Sequence, residues 1–278
     1  MSVPAFQLDA SIGRASHQPT ENRQRLRILS YNIQTGISTG GYRHYLTKSW
    51  RQVLPHPERL DNLDRIATML GDYDMVGLQE VDGGSLRSGF INQTEYLAHE
   101  AGFPLWFDQT NRDLGKFARY SMGLLTRYHP SAMAEWRLPG RIPGRGAMHA
   151  RFGHGEHALH VVIMHLALGR RGRLDQLAYI AERIQDFRHV VLMGDFNCCS
   201  ESEEVSLLMR RASLQEPVHG LHTFPSWRPA RNIDHIFVSS GLNVCDTRVL
   251  MHPLSDHLPL AMEVELPESV ILPRHGGH

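Results

Sequence analysis

Single carboxylate, carboxamide and imidazole side chains stand next to apolar segments at several points along this chain. They are Asn32, Glu80, His165, Asp195, Asn197, Asp234, Asp256 and His257. Strand ends are where a rigid sheet presents side chains to a cleft, so we expect these groups to converge. Mg²⁺ takes one or two carboxylates and keeps several waters, and histidine exchanges protons near neutral pH. These residue types predict a metal-assisted displacement at phosphorus, in which a cation offsets charge on the phosphate oxygens.

The elements that would position these side chains follow from hydrophobic periodicity. Apolar runs predict strands at Arg25–Ile33, Met75–Glu80, Leu105–Gln109, Ser121–Thr126, Ala132–Arg137, Ala147–Phe152, Ala158–His165, His189–Met193, Ile233–Val238, Val244–Met251 and Leu260–Leu266. Apolar residues at helical spacing predict helices at Pro57–Leu70, Thr94–Ala101, Leu174–Phe187 and Glu203–Arg211. Strands outnumber helices and both βα and ββ successions occur, which indicates sheets with helices packed outside them.

Length and composition are those of a globular protein. The chain has 278 residues, of which 41% are hydrophobic, so one layered domain can bury a sizeable core. We place this catalytic domain at residues 25–268, with a mobile arm at 1–24 and a loose tail at 269–278.

Charge and cysteine content narrow the class of protein further. Lys plus Arg and Asp plus Glu each number 29, so the chain lacks the basic excess of dedicated nucleic-acid binders. Three cysteines argue against a disulfide scaffold and suit a reducing compartment. We recognise no signal peptide and no membrane-spanning run, and therefore expect a cytoplasmic protein.

Seven short strings that carry most of these polar residues occur in a fixed order. They are SYNIQTG at Ser30–Gly36, LQEVD at Leu78–Asp82, RYSMGLLTR at Arg119–Arg127, MHL at Met164–Leu166, GDFN at Gly194–Asn197, RNIDHIFV at Arg231–Val238 and SDHLP at Ser255–Pro259. Together they resemble the endonuclease/exonuclease/phosphatase superfamily over nearly the whole chain. The resemblance implies an α/β (α+β) fold, a four-layer αββα sandwich of two mixed, mainly antiparallel sheets flanked by helices, whose second half mirrors the first.

The resemblance also implies which residues bind a metal ion. Glu80 matches the main ligand, Asn32 lies beside it, and Asp256 is a further ligand, either direct or through water. The expected cation is Mg²⁺, with Mn²⁺ as a substitute.

Catalytic roles are implied in the same way. Asp195 would orient or deprotonate the attacking water, and Asn197 would hold that water or a phosphate oxygen. His257 would contact the scissile phosphate as general base or as a donor in the transition state, with Asp234 fixing its tautomer. His165 would donate to a phosphate oxygen.

Three further residues are candidates for contact with the substrate. Tyr120 matches a phosphate-contacting tyrosine of some family members, although its loop is one residue shorter here. Arg87 and Arg145 could clamp an anionic substrate, because guanidinium groups suit phosphate. Solvated surface arginines are the alternative for both positions.

The HGEHALH segment hints at a zinc site, because His154, His157 and His160 are three residues apart. On a strand this spacing alternates between the two faces, so the three imidazoles would not converge. We therefore expect no zinc site there.

Three functions are compatible with these observations. The first is a magnesium-dependent phosphodiesterase or phosphatase acting on a small or lipid-linked phosphoester, such as a phospholipid headgroup. The neutral charge and the segment Thr223–Trp227 (TFPSW) favour it. The second is an endonuclease or exonuclease acting on DNA, including abasic sites. The third is a non-catalytic binding module, against which the complete set of carboxylates and histidines argues.

Overall fold

The computed structural model describes residues 23–37, 57–140, 144–272 and 274–275. Within them, the strands form two six-stranded sheets. The first sheet contains β1 (Arg25–Asn32), β2 (Met75–Asp82), β3 (Leu105–Asp113), β4 (Arg119–Thr126), β11 (Asn243–Val249) and β12 (Leu260–Glu265). The second contains β5 (Ala132–Arg137), β6 (Gly146–Phe152), β7 (Leu159–His165), β8 (His189–Asp195), β9 (Leu214–Gln215) and β10 (Asp234–Ser239).

The two sheets have matching topologies. Their strand orders are β11-β12-β1-β2-β4-β3 and β5-β6-β7-β8-β10-β9. Each contains one central parallel pair, β1–β2 or β7–β8, among antiparallel neighbours. A parallel pair needs a crossover connection, and each crossover contains a helix, α1 (Pro57–Leu70) or α3 (Arg170–Ile184). The prediction of two mixed, mainly antiparallel sheets flanked by helices is confirmed.

The helices pack by apolar faces whose spacing was visible in the sequence. Helix α1 buries Leu63, Ile66 and Leu70 on one side. Two shorter helices are α2 (Gln93–Glu100) and α4 (Glu203–Ala212). The Ser202 hydroxyl caps α4 by accepting a hydrogen bond from the Val205 N–H at 3.2 Å.

Three apolar layers hold the sandwich together. A central cluster lies between the sheets and includes Met75 from the first sheet and Met193 from the second. Two outer clusters lie between each sheet and its helices. The sheets approach closely at Gly77, where an added Cβ would lie 2.9 Å from the Met193 Cε. Side-chain volume in the central layer therefore sets the separation of the sheets.

Some predicted boundaries were wrong. Strand β3 continues beyond the predicted Gln109 to Asp113, because its polar end pairs with β4 as far as Arg119. Helix α3 is displaced from the predicted Leu174–Phe187 to Arg170–Ile184. The two-residue strand β9 was not predicted, since its short sequence carries no periodic signal.

The predicted arm lies outside the described residues, except for Arg23 and Gln24. The Gln24 side chain donates to the Leu272 carbonyl at 3.0 Å, and Val270 and Leu272 are buried in the central layer. This part of the predicted tail is therefore packed on the domain and not loose. No helix of the described residues combines the length and apolarity needed to cross a membrane.

Candidate active site

The polar residues at the strand ends converge at one edge of the sandwich. His165 ends β7 and pairs in register with Asp195, which ends the neighbouring parallel strand β8. Asp195 in turn pairs with Asp234, the first residue of β10. The parallel pair of the other sheet contributes Asn32 at the end of β1 and Glu80 on β2. The ends of both central parallel pairs thus supply the site.

Unusual backbone geometry occurs at three of these positions. Gly194 has φ +146°, and an added Cβ would lie 1.8 Å from the Met164 carbonyl oxygen, so only glycine fits before Asp195. Glu80 has φ +57° and lies at an irregularity in the β2–β4 pairing, and Asn197 has φ +54°. Left-handed non-glycine residues are strained and concentrate at functional sites.

Asp195 is buried and is approached by several donors. Its Oδ1 accepts from the Asn197 N–H at 2.9 Å, and its Oδ2 accepts from Asn32 Nδ2 at 3.2 Å and lies 3.3 Å from His165 Nε2. Burial alone would raise its pKa, but the hydrogen bond and charge of His165 and the charge of His257 outweigh burial and lower the pKa. Asp195 is therefore a carboxylate at neutral pH.

His257 forms a buried pair with Asp234. Its Nδ1 lies 2.8 Å from the Asp234 Oδ2, which also accepts from the Thr223 hydroxyl at 2.5 Å. Its other nitrogen, Nε2, points to Asp195 at 3.9 Å. Burial lowers the pKa of His257, but the charge and hydrogen bond of Asp234 prevail and raise it to about 10. Asp234 thus fixes the ring with Nε2 directed into the site.

Asp256 is buried beside Ser255. The Ser255 Oγ lies 2.7 Å from the Asn32 carbonyl oxygen and 3.1 Å from the Asp256 Oδ1, so its single proton is shared between these two acceptors. Burial raises the pKa of Asp256 to about 6, with support from the charges of Glu80 and Asp195. The buried Asp256 carboxyl therefore lies close enough to Glu80 and Asp195 for their charges to act on it.

Asn197 has a structural contact in addition to its position in the site. Its Nδ2 donates to the Leu166 carbonyl at 3.0 Å, and the Leu166 N–H donates to the Asp195 carbonyl at 2.9 Å. These bonds tie together the loops that follow β7 and β8.

A second buried network supports the loop after Asn197. His235 lies between two acceptors, with Nδ1 2.7 Å from Glu216 Oε1 and Nε2 2.8 Å from the Cys198 carbonyl. Ser200 donates to the same carboxylate oxygen at 3.0 Å. Both ring nitrogens thus face acceptors, and the Glu216 carboxylate joins His235 to Ser200.

Glu80 borders a cavity of about 250 Å³ that opens beside the cluster. Its side chain is 37% exposed, and within the described residues its carboxylate has no closer ionic partner than His165 Nε2, at 3.9 Å. The cavity is also lined by Asn111, Arg112, Tyr120, Ser121, Met122, Gly144, Arg145 and His165.

The three predicted substrate contacts have different environments. Tyr120 and the half-buried Arg145 line the cavity. Arg87 is buried, and its Nε donates to Asp82 Oδ2 at 2.7 Å while its guanidinium covers the Tyr120 ring at 4.3 Å. Arg87 is not among the lining residues and packs behind Tyr120.

A divalent cation fits the donor chemistry of this edge. Glu80, Asp195 and Asp256 place three carboxylates together, and oxygen donors suit a hard cation. Asp195, Asp234 and His257 also offer ligand atoms within 4.8 Å of one another. In that trio, however, the Asp234 Oδ2 is already engaged by His257 Nδ1. The carboxylate of Glu80 is freer to bind metal.

The histidines of the HGEHALH segment form no such centre. His160 Nδ1 lies 2.9 Å from His149 Nε2, and Phe187 stacks on the His160 ring at 3.7 Å. His154 and His157 are exposed.

Sequence reasoning missed several residues of the site. Thr223 and Ser255 lie inside strings that drew attention, but their hydroxyls carried no signal for a particular partner. Nothing in the sequence indicated that Asn111 and Arg112 belong to the site, because both residues follow the predicted end of β3. Only the pairing of β3 with β4 places them at the cavity.

Two mixed six-stranded sheets flanked by helices carry this cluster of acidic and imidazole side chains at one edge. The sequence matches the Endonuclease/Exonuclease/phosphatase family over residues 29–257, and the chain belongs to this family.

Individual relatives match only part of the chain or have low sequence identity to it. The uncharacterized protein YbhP of Escherichia coli K12 is 33% identical over 120 residues, 39% of this chain and 47% of that protein. The match thus spans about half the length of this curated relative.

Solved structures share the fold. An endonuclease/exonuclease/phosphatase from Beutenbergia cavernae is 19% identical with a TM-score of 0.68, over 89% of this chain and 73% of that one. A mannosyl-6-phosphatase from Bacteroides thetaiotaomicron is 18% identical with a TM-score of 0.63, over 86% and 99% of the two chains.

Proposed function

We propose that this chain is a magnesium-dependent hydrolase of phosphoester bonds, acting as a phosphodiesterase or phosphatase on a small or lipid-linked phosphoester. The observation that carries the proposal is the placement of the Glu80 carboxylate 3.9 Å from His165 Nε2, beside a buried Asp195 that lies 3.3 Å from His165 Nε2 and 3.9 Å from His257 Nε2. Glu80, Asp256 and Asn32 would hold the cation. When bound, Mg²⁺ would polarise the phosphate and offset the charge on the leaving oxygen.

Hydrogen bonding supports distinct roles for Asp195 and His257. A carboxylate offers about four lone-pair sites, and Asp195 uses three of them for Asn197, Asn32 and His165. One site remains to accept a hydrogen bond from the attacking water and orient it towards phosphorus. The low pKa of Asp195 makes it a weak base, so we assign it orientation and not full proton abstraction.

His257 is assigned the role of donor. With a pKa near 10 it is an imidazolium at neutral pH, and its Nε2 proton points into the site. It would stabilise the oxygen charge that develops in the transition state. His165 would donate to a second phosphate oxygen once substrate displaces its contact with Asp195.

The shape of the site favours a small phosphorylated group over a long polymer. A volume of about 250 Å³ is below the range of about 300–1,000 Å³ that drug-sized ligands occupy. The zero net charge also lacks the basic excess expected for a nuclease.

Exposed apolar side chains near the cavity favour a lipid-linked form of the substrate. Phe90 and Phe117 are 63% and 66% exposed, and the Arg87 N–H donates to the Phe117 carbonyl, which ties the two loops together. The Arg87 guanidinium in turn covers Tyr120 of the cavity wall. Exposed apolar side chains mark sites of contact with other molecules. If the substrate is a phospholipid, its apolar chains would contact these phenylalanines while its headgroup enters the cavity.

The proposed activity is tested with bis-nitrophenyl phosphate and Mg²⁺, comparing the wild type with Glu80→Gln. We expect the variant to lose about a hundredfold or more in turnover and to bind Mg²⁺ more weakly by calorimetry. Glu182→Gln, at an exposed position on α3, is the matched control. Full activity of Glu80→Gln with Mg²⁺, or no Mg²⁺-dependent turnover by the wild type on any phosphoester of a broad panel, would refute the proposal.

The substrate class is tested separately. Liposomes of phosphatidylglycerol, soluble headgroup phosphoesters, abasic duplex DNA and single-stranded DNA are compared at equal phosphoester concentration. Preference for either DNA substrate would favour the nuclease instead.

A further inference from the structure

Two arginines line the cavity wall without a salt bridge to a carboxylate in the described part of the chain. Arg112 and Arg145 form no ion pair with any described residue. Arg112 is exposed and Arg145 is half-buried. Both guanidinium groups are therefore available to an anion that enters the cavity.

Both arginine side chains lie beside the cluster of carboxylates and histidines. Arg145 lies close enough to Glu80 and Asp195 for their charges to act on it, and Arg112 lines the same cavity from β3. Among the described lining residues, Glu80 is the only acidic one. This part of the lining thus combines one carboxylate and the His165 imidazole with two guanidinium groups.

The wall that carries Arg112 is fixed by close packing. Gly146 opens β6, and a Cβ there would lie 2.1 Å from Asn111 Oδ1 and 2.6 Å from Gln109 Nε2. Gly144 packs against the Arg112 side chain, where an added Cβ would lie 3.1 Å from its Cβ. The two glycines let the loop before β6 approach β3, so the Asn111 amide and the Arg112 stem are held in place before any ligand binds.

We propose that the substrate carries a second anionic group, a phosphate, which binds Arg112 and Arg145 while the scissile phosphate lies at Glu80 and His257. This inference rests on the proposed function and names the chemistry of its substrate. Guanidinium groups bind phosphate through paired, charge-assisted hydrogen bonds. The Tyr120 ring and the Asn111 amide would contact the part of the substrate between the two phosphates.

The cavity volume limits what can join the two phosphates. About 250 Å³ accommodates a short linker such as a sugar or polyol ring, and not several nucleotides. The same chemistry could come from a free bisphosphate or from a phosphorylated lipid headgroup. A neighbouring phosphate of a nucleic-acid strand could occupy the same position, and the experiment below compares it with the bisphosphate.

The test is a binding measurement without turnover. Calorimetry on the metal-free protein compares inositol 1-phosphate with inositol 1,4-bisphosphate. We expect the second phosphate to lower Kd by about tenfold or more, the value of one charge-assisted contact. Arg112→Met and Arg145→Met should each abolish most of that gain, and Arg112→Met should leave the Kd of the monophosphate within about twofold. Arg210→Met, an exposed position on α4, is the control and should keep the gain.

The source of the second phosphate is resolved by two further arms. Vesicles with phosphatidylinositol 4-phosphate are compared with vesicles of phosphatidylinositol, and a ten-nucleotide single strand is included. A gain on vesicles or in solution supports the proposal and tells which form binds. No gain in the wild type, a gain that survives both arginine substitutions, or a dependence on both arginines seen only with the oligonucleotide would overturn it.

Failure of this inference is distinguishable from failure of the proposed function. If Mg²⁺-dependent hydrolysis of bis-nitrophenyl phosphate is lost in Glu80→Gln while the second phosphate adds nothing to binding, only the second-anion site is refuted. If no hydrolysis occurs at all, the proposed function fails and the binding ratio still decides whether the two arginines recognise a phosphate.

Discussion

Replacing Asp234 by Asn tests the charge assignment of the site most directly. The change keeps the shape of the side chain but removes the charge that raises the pKa of His257 from 6.5 to about 10. That difference corresponds to about 5 kcal/mol in favour of the imidazolium. Because Asp195 and Asp256 also contribute, we assign about 2–3 kcal/mol to Asp234, the value of a hydrogen bond to a charged group.

The sign of the pH dependence follows from this. The pKa of His257 is raised on folding, so its contribution to stability is fully present below pH 6.5 and is lost as the pH rises through about 10. In Asp234→Asn the loss of about 2–3 kcal/mol lowers the pKa of the ring by about two units from its wild-type value. We therefore expect most of the imidazolium to be lost at pH 9, with kcat/KM about tenfold lower there than in the wild type.

Two measurements check this prediction. Nuclear magnetic resonance of the metal-free protein follows the His257 ring protons from pH 5 to 10.5, and the pH profile of kcat/KM is recorded over the range in which the fold is stable. Asp186→Asn, an exposed position, controls for the loss of one carboxylate. If the His257 titration and the alkaline limb of the profile are the same in wild type and Asp234→Asn, the reasoning from the Asp234 contact is refuted.

Two predictions concern stability. Gly194→Ala would place a Cβ 1.8 Å from the Met164 carbonyl oxygen, so we expect a loss of about 3 kcal/mol or more and a Tm lower by on the order of 10 °C, measured by calorimetry; an unchanged Tm would contradict the clash. Glu216→Leu removes the carboxylate that lies 2.7 Å from His235 Nδ1 and accepts from the Ser200 hydroxyl, which should cost about 1–3 kcal/mol in urea unfolding at pH 7. Burial raises the pKa of Glu216, but the His235 hydrogen bond outweighs it and the pKa is lowered, so the cost should shrink as the pH falls below 4.5. A cost independent of pH would contradict the lowered pKa of Glu216.

Much of this architecture could be predicted from local sequence signals. The apolar runs at Met75 and His189 are continuous because those strands are buried on both faces, and the helix at Pro57–Leu70 has a one-sided apolar stripe. The polar residues at the strand ends were found because their types are out of place in such runs. Asp195 is an example, since it follows the apolar strand HVVLM.

What could not be predicted depends on long-range pairing. Arg112 lies in a stretch with no apolar period, and it reaches the cavity only because β3 pairs with β4 as far as Asp113. Thr223 binds Asp234 through a hydroxyl that any surface threonine also has. Glu216 and His235 are 19 positions apart, and no local pattern around either residue indicates that the fold brings them together.

The division of the site between two sheets has a consequence for residues that never touch substrate. Asn32 and Glu80 belong to one sheet, and His165 and Asp195 to the other, so the gap between their charged atoms is fixed by the thickness of the apolar layer. Bulkier residues in that layer would spread the reacting groups apart, and smaller ones would let them close. We therefore expect the rate of hydrolysis to change when a methyl group is added to or removed from the central apolar layer, although these side chains do not line the site.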